Sequence, residues 1–116
     1  MVGITEKLEN SLDKMVQEWA FSQPSVINRE MPCVGHHHYS RRHKLLRWDV
    51  KNIIPLTERQ HRLVHDGKMD YKCASKDYLH SMVNKNYKDY LFENNMTDDM
   101  FVLKKYNEWR KRLHKC

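Results

Sequence analysis

The stretch from Cys33 to Gly67, CVGHHHYSRRHKLLRWDVKNIIPLTERQHRLVHDG, contains six of the eight histidines of this 116-residue chain. They occur in a definite order, which is the run His36-His37-His38, then His43, and finally His61 and His65. Asn52 lies between the two groups. Imidazoles at such spacings can hold one metal ion and still leave one ring free to act as a base. The pattern therefore indicates metal-assisted cleavage of a phosphodiester bond.

The second histidine pair is predicted to lie on a helix. Thr57-Glu58-Arg59-Gln60 fits a capping box, in which the Thr hydroxyl and the Gln amide bond the free backbone groups of the first turn. Gly67 can end this helix in a left-handed conformation. His61 and His65 are four residues apart, so their rings lie one turn apart on the same face. Two imidazoles so placed form half of a transition-metal site.

The first histidine group is predicted to lie on a strand. We expect a short strand near Pro32–His38, a basic loop over Ser40–Lys51, and a second strand over Asn52–Leu56, where the β-branched pair Ile53-Ile54 occurs. Successive strand side chains point to opposite faces, so a metal-facing His36 leaves His37 unliganded. The ordinary imidazole pKa near ~6.5 suits removal of a proton from water. The Asn52 amide can bond across the loop and hold His37 in position.

The flanking segments are predicted to be helical. Apolar residues at three- and four-residue spacing indicate a helix over 5–21, which Gln23-Pro24 ends. Ser75 and Thr97 are expected to cap two further helices, over about 76–93 and about 98–114. Several residues of the last helix are expected to face inward, namely Met100, Phe101, Leu103, Tyr106, Trp109 and Leu113. The length is that of one domain, comprising residues 1–116.

Charge and composition narrow the choice of partner and compartment. The net charge is +6, distributed as −2 over residues 1–24, +5 over 25–68 and +3 over 69–116. Excess positive charge around the histidines favours a polyanion such as DNA. Apolar runs are far shorter than the ~20 residues of a membrane span, and the N-terminus lacks the apolar stretch of a signal peptide. We therefore expect no membrane partner, a cytoplasmic location, and free thiols at all three cysteines, Cys116 included.

The order and spacing of these residues resemble the HNH nuclease motif, also called the ββα-metal or His-Me finger. In the form found in colicin DNases, paired histidines, an asparagine and two further histidines have the spacing of His36, His37, Asn52, His61 and His65 without a gap. The stretches Ser40-Arg41-Arg42 and Arg47-Trp48-Asp49 also resemble those of small stand-alone HNH proteins of phages. The likeness covers about residues 33–67.

The resemblance implies a role for each matching residue. His36, His61 and His65 become ligands of one divalent metal, His37 the general base, and Asn52 the residue that orients the loop and the base. His61 counts among the catalytic residues as well as the ligands. Three imidazoles favour Zn²⁺, Ni²⁺, Co²⁺ or Mn²⁺, and Mg²⁺ remains open as the working ion because DNA phosphate supplies oxygen ligands.

The same resemblance implies a fold, a reaction and a substrate. The fold class is α+β and mostly helical, with an N-terminal helical segment (1–24), a ββα-metal motif (30–67) and C-terminal helices (75–116). The reaction is hydrolysis of DNA, most readily double-stranded, by nicking or double-strand cleavage that leaves 5′-phosphate and 3′-hydroxyl ends. The origin implied is a phage or mobile element, and homing, genome processing, recombination and defence remain open as roles. A protein regulator or a homodimer remains open.

Basic side chains are the expected nucleic-acid contacts. Arginine forks suit bidentate binding of phosphate, and a second basic region lies on the last predicted helix. The predicted contacts are Arg41, Arg42 and Arg47 near the site, and Lys104, Lys105, Arg110, Lys111, Arg112 and Lys115 in the second region.

Two departures from the family pattern leave alternatives open. The cysteines that often precede the helix are absent, since the matching stretch is Leu56-Thr57-Glu58-Arg59-Gln60-His61, so the flanking helices must support the motif. His38 replaces a hydrophobic residue, so the working pair is either His36-His37 or His37-His38, and the spacing to Asn52 favours the former. The rival function is a non-catalytic zinc module that binds DNA or protein, with Cys33, His36, His61 and His65 as four structural ligands.

Overall fold

The computed structural model describes residues 3–114, which form an α+β, mostly helical fold. Within this part of the chain there are six α-helices, one 3₁₀ turn and an antiparallel two-stranded sheet. In chain order the elements are α1 (Ile4–Phe21), β1 (Val34–His37), α2 (Lys44–Arg47), the 3₁₀ turn (Val50–Asn52), β2 (Ile53–Leu56), α3 (Glu58–His65), α4 (Lys76–Val83), α5 (Tyr87–Glu93) and α6 (Asp98–Leu113). The predicted order of elements is confirmed, with two differences in the middle and in the C-terminal half.

The core lies between α1, α6 and the loop that precedes β2. Helix α1 buries a stripe of small and aliphatic side chains, Leu12, Val16 and Ala20, and packs along α6. Trp109 of α6 is fully buried, and its indole Nε1 donates a 2.7 Å hydrogen bond to the carbonyl of Trp48. Trp48 is itself buried beneath α1, as expected of a large aromatic residue. Helices α1 and α6 therefore hold in place the loop that connects the two strands of the sheet.

The hairpin has a register that decides which histidine faces which side. His36 pairs with Ile54 and His37 pairs with Ile53. Helix α1 lies close against β1 at Gly35, where a Cβ atom would come within 2.8 Å of Ile53 Cγ2 and 3.4 Å of Ala20 Cβ. A side chain at position 35 would therefore collide with Ile53 of β2, and only glycine fits there without displacing that neighbour.

The predicted capping box at the start of α3 is confirmed. Thr57 Oγ1 accepts from the Gln60 backbone N–H at 3.2 Å, and Gln60 Oε1 accepts from the Thr57 N–H at 2.9 Å. Gly67 follows the helix with a φ of +70°, in the left-handed region that favours glycine.

Two predictions about the helices are wrong. The helix expected over 76–93 is two helices, α4 and α5, because the Asn86 side chain accepts from the Asp89 N–H and begins a new helix. In α6, Met100 and Leu103 are 51% and 49% exposed instead of facing inward. The expected Ser40–Lys51 loop also contains α2 and most of the 3₁₀ turn, because its two leucines, Leu45 and Leu46, are buried.

Other expectations concern the cysteines and the membrane. Cys33 and Cys73 are free thiols, whereas Cys116 and Lys115 lie outside the described residues. In the part of the chain that the structure covers, every helix is too short or too polar to cross a bilayer.

We predict that Trp109→Phe destabilises the fold far more than Trp19→Phe. The two indoles pack edge to face with ring centroids 5.7 Å apart, but Trp109 also satisfies the buried Trp48 carbonyl. Losing ring volume and leaving that carbonyl unpaired should lower the free energy of unfolding by about 2–4 kcal/mol. Urea unfolding followed by circular dichroism measures this loss, and equal effects of the two substitutions would contradict the role given to the indole hydrogen bond.

Candidate metal and catalytic site

Three histidines from the hairpin and from α3 converge. The ring of His36 lies 5.2 Å from that of His61 and 5.3 Å from that of His65, centroid to centroid. Each of the three offers a nitrogen, and these atoms all lie within 4.8 Å of one another. The structure thus brings together the three residues predicted to be ligands.

The first turn of α3 is fixed by a buried polar network. Gln60, the residue before His61, accepts from Ser25 Oγ at 2.6 Å and donates from Nε2 to Asn28 Oδ1 at 2.9 Å. The same amide completes the capping box, so each of its hydrogen-bonding groups has a partner. The hydrogen bonds of the Gln60 amide oxygen and amide nitrogen therefore fix the first turn of α3. They fix with it the position of His61 relative to the hairpin.

The residues present fit a divalent transition metal. Nε2 of His61 and Nε2 of His65 are 3.0 Å apart, close to the ~3.4 Å that separates two ligands at ~2.1 Å from a tetrahedral ion. Among the described residues the group has three members, and all three line a cavity of about 600 Å³. His37, Ser40 and Arg41 line this cavity together with the three histidines. An open position is typical of catalytic sites, whereas structural zinc sites have four protein ligands.

The surroundings favour the neutral form of two of these imidazoles, His36 and His61, and metal binding requires neutral imidazoles. Burial, followed by the neighbouring rings of His61 and His65, lowers the pKa of His36 from 6.5 to about 4. Burial, together with His65, lowers the pKa of His61. In the absence of metal, the rings of His36 and His61 therefore resist protonation more than an exposed imidazole does.

His37 is held apart from this cluster by a hydrogen bond on the other side of the strand. Its Nε2 lies 2.9 Å from the carbonyl oxygen of Arg47. A carbonyl only accepts, so Nε2 carries the proton and Nδ1 of the neutral ring has the free lone pair. Burial is the main cause that lowers the pKa of His37 below its usual value, which keeps that lone pair available at neutral pH.

Asn52 is fully buried and joins the two ends of the loop between the strands. Its Oδ1 accepts from the Tyr39 N–H at 2.9 Å, and its Nδ2 donates to the carbonyls of Tyr39 and Leu46 at 3.1 Å each. Because Leu46 immediately precedes Arg47, these bonds lie next to the carbonyl that holds His37.

The two candidates for the histidine pair differ in their surroundings. His38 lies outside the group of three and bonds through Nδ1 to the hydroxyl of Tyr71 at 2.5 Å. His36 is the member of the run that joins the cluster. This geometry favours His36-His37 as the working pair.

The predicted basic contacts fall into two groups. Arg41 lines the cavity with its side chain 63% exposed and with Nη1 at a loose 3.8 Å from Asp13 Oδ2, and Arg42 is exposed beside it. Arg47 instead makes an ion pair with Asp13 at 2.6 Å and lies 3.5 Å from Glu9. Its guanidinium already has two carboxylate partners, so we leave Arg47 out of the proposed DNA contacts.

The basic residues of α6 divide in the same way. Lys104, Arg110 and Lys111 are exposed. Lys105 lies 3.5 Å from Glu108, and the guanidinium of Arg112 lies 4.6 Å from the centre of the Trp109 ring. The first three are therefore better placed than the other two to bind phosphate.

Three residues near the site were missed by the sequence reasoning. Tyr71 packs edge-on against His36 with ring centroids 5.5 Å apart, and burial raises the pKa of its phenol to about 12. Gln17 of α1 accepts from the Gly35 N–H at 2.8 Å and donates to the Gly35 carbonyl at 3.2 Å. Asp13 of α1 binds Arg47 and Trp48. All three lie outside the Cys33–Gly67 stretch, and no spacing rule connects them to it.

Comparison with known proteins adds no relative. A scan against protein-family models finds no match, and neither do searches of curated proteins and of solved structures. The inferences below therefore rest on the residues and their geometry.

We predict that the metal-free chain loses stability between about pH 6.5 and pH 4, and that His36 contributes to this loss. Its pKa is lowered to about 4 in the folded state, so the unfolded chain binds more protons in this range. The contribution is fully present above pH 6.5 and decreases as the pH falls. Urea midpoints in EDTA should fall less steeply for His36→Gln than for the parent, while the exposed control His80→Gln keeps the parental slope. Identical slopes for parent and His36→Gln would contradict the burial of His36.

We predict that His61→Ala weakens the binding of Zn²⁺ or Ni²⁺ by roughly a hundredfold or more. Substituting a residue that only hydrogen-bonds to a metal ligand already lowers metal affinity by about 10–100-fold, and loss of a ligand should lower it further. Cys33→Ala should leave the affinity unchanged, because the Cys33 thiol donates to the Glu30 carbonyl at 3.4 Å and lies outside the histidine group. Isothermal titration calorimetry measures both. Loss of metal in Cys33→Ala would support the structural zinc module instead.

Proposed function

We propose that this chain is a metal-dependent endonuclease of the HNH type that hydrolyses phosphodiester bonds in DNA. The observation that carries the proposal is the convergence of His36, His61 and His65 beside a separate histidine with a defined tautomer. The β1–β2–α3 arrangement also supports a ββα-metal motif, because two strands and the following helix supply all these residues. A phage or mobile-element origin, a role in homing or genome processing, and action in the cytoplasm complete the proposal.

The proposed mechanism begins at His37. With Nε2–H donated to the Arg47 carbonyl, Nδ1 accepts a proton from a water molecule that attacks the scissile phosphorus. The Arg47 carbonyl stabilises the imidazolium that results, since its oxygen points at the protonated Nε2. A divalent ion at His36, His61 and His65 would supply Lewis acidity at the phosphate and at the leaving 3′ oxygen. The bond from phosphorus to the 3′ oxygen breaks as the water oxygen bonds to phosphorus, and the 3′ oxygen takes a proton from solvent, which leaves a 5′-phosphate and a 3′-hydroxyl.

The charges around the cavity support a nucleic-acid substrate. Arg41 borders the same cavity as the histidines, and the exposed Arg42 continues the basic surface away from it. Arginine forks bind phosphate oxygens in pairs, so these two residues are proposed to hold the backbone next to the cleaved bond. Lys104, Arg110 and Lys111 of α6 are proposed as a further backbone contact. One copy on the duplex would nick it, and two copies would cut both strands.

The zinc-module alternative finds less support. It needs Cys33 as a fourth ligand, whereas the thiol bonds to the Glu30 backbone and burial raises its pKa, which disfavours the thiolate. It also gives no role to the hydrogen bond between His37 and Arg47.

We predict that His37→Ala abolishes DNA cleavage while metal binding and fold persist. Loss of a general base typically slows the reaction by roughly 10²–10⁴-fold. The measurement is conversion of supercoiled plasmid to nicked and linear forms with Mg²⁺, Mn²⁺, Zn²⁺, Ni²⁺ or Co²⁺, using parent, His37→Ala and the exposed-site control His80→Ala, purified identically. The control should cut like the parent. Cleavage by His37→Ala at the parental rate would refute the assignment of the base, and no cleavage by the parent with any ion would refute the nuclease.

A further inference from the structure

We propose that Asp13 of α1 is a positioning residue that fixes the tautomer and orientation of the His37 ring by holding the Arg47–Trp48 segment in place. The proposal rests on the proposed function only in taking His37 as the base. Asp13 lies 24 residues before His37, on a helix that the family resemblance does not cover.

The Asp13 carboxylate binds two consecutive residues at once. Its Oδ2 accepts from Arg47 Nη2 at 2.6 Å, and its Oδ1 accepts from Arg47 Nε at 3.2 Å. The same Oδ1 accepts from the indole Nε1 of Trp48 at 3.0 Å. A two-point carboxylate–guanidinium bond fixes direction as well as distance, and the third bond prevents rotation of the segment about it.

The carbonyl that faces His37 belongs to the first of these residues. Arg47 is the last residue of α2, and the last carbonyls of a helix have no partner within it. A helix of four residues cannot hold this carbonyl in a defined direction by its own backbone bonds. The bonds of Asn52 to the Leu46 carbonyl and of Trp109 to the Trp48 carbonyl hold the backbone on either side, and the bonds of Asp13 hold the side chains of Arg47 and Trp48 between them, so that together they direct the acceptor of His37 Nε2.

Partial burial strengthens the ion pair between Asp13 and Arg47. The side chains of Asp13 and Arg47 are each 23% exposed, so water screens the pair less than it screens a surface ion pair. Glu9 also approaches Arg47, but at 3.5 Å and while lying 3.6 Å from Lys44. Without Asp13, the guanidinium would have only this looser partner, and the Trp48 indole would lose its acceptor. The arginine side chain would then turn toward Glu9 or the solvent, and the Arg47–Trp48 segment would lose the three bonds that anchor it to α1.

Two variants weaken the ion pair between Asp13 and Arg47, one by changing the carboxylate and the other by changing the guanidinium. Asp13→Asn keeps the shape of the side chain but removes the charge and one acceptor oxygen. Arg47→Lys keeps the backbone carbonyl and a positive charge but removes the planar fork. Glu18→Gln is the matched control, because it makes the same carboxylate-to-amide change at an exposed position of α1.

Nuclear magnetic resonance shows directly which nitrogen of the His37 ring carries the proton. Long-range ¹H–¹⁵N spectra of the full chain distinguish the protonated from the unprotonated ring nitrogen, with the His37 signals assigned by their loss in His37→Ala. We expect a single Nε2–H tautomer in the parent and in Glu18→Gln, and a mixture of tautomers in Asp13→Asn and Arg47→Lys. A single unchanged tautomer in both variants, with parental circular dichroism, would overturn the proposal.

Cleavage kinetics separate this proposal from the proposed function. In Asp13→Asn, we expect kcat on plasmid DNA to fall roughly 10- to 100-fold with KM within about twofold, because misplacement of a catalytic group affects the chemical step. A parent that does not cut DNA, combined with a changed tautomer in the variants, would refute the nuclease and support the role of Asp13. A parent whose cleavage depends on His37, combined with an unchanged tautomer and kcat in both variants, would overturn the role of Asp13 alone.

Discussion

Three consecutive backbone carbonyls at the end of α2 constrain the site more than any other feature. Each accepts a hydrogen bond from a side chain of a different part of the fold, and these pairs are Leu46 with Asn52, Arg47 with His37, and Trp48 with Trp109. The donors come from the 3₁₀ turn before β2, from β1 and from α6. The segment thus connects the hairpin to the helical core. A displacement of it would disturb the His37 ring, the loop between the strands and the packing of α6 together.

This constraint explains how so small a motif is stable. A two-stranded hairpin is at best marginally stable alone. Support comes instead from α1 and α6, which bury Trp48 between them and contact each other through Trp19 and Trp109. Helix α1 further lies against Gly35 of β1, and Gln17 bonds both backbone groups of that residue. The flanking helices are therefore part of the support of the site.

The sequence predicted those features that depend on local spacing. The capping box at Thr57, the i,i+4 pair on α3 and the alternation along β1 are short-range rules, and each corresponds to an observed element. The break between α4 and α5 was missed because apolar periodicity continues across it, and a side-chain cap at Asn86 outweighs that periodicity. Asp13 and Tyr71 were missed because their partners are distant in sequence, and only tertiary packing brings them to the site.

We propose that three imidazoles hold one ion while a fourth stays free to take a proton. Anomalous diffraction from crystals grown with Zn²⁺ would locate such an ion. We expect one peak at about 2.0–2.1 Å from a nitrogen of each of His36, His61 and His65, with no further protein ligand and with His37 Nε2 still on the Arg47 carbonyl. A peak coordinated by His37 or by the Cys33 thiol, or one that omits His36, would contradict it.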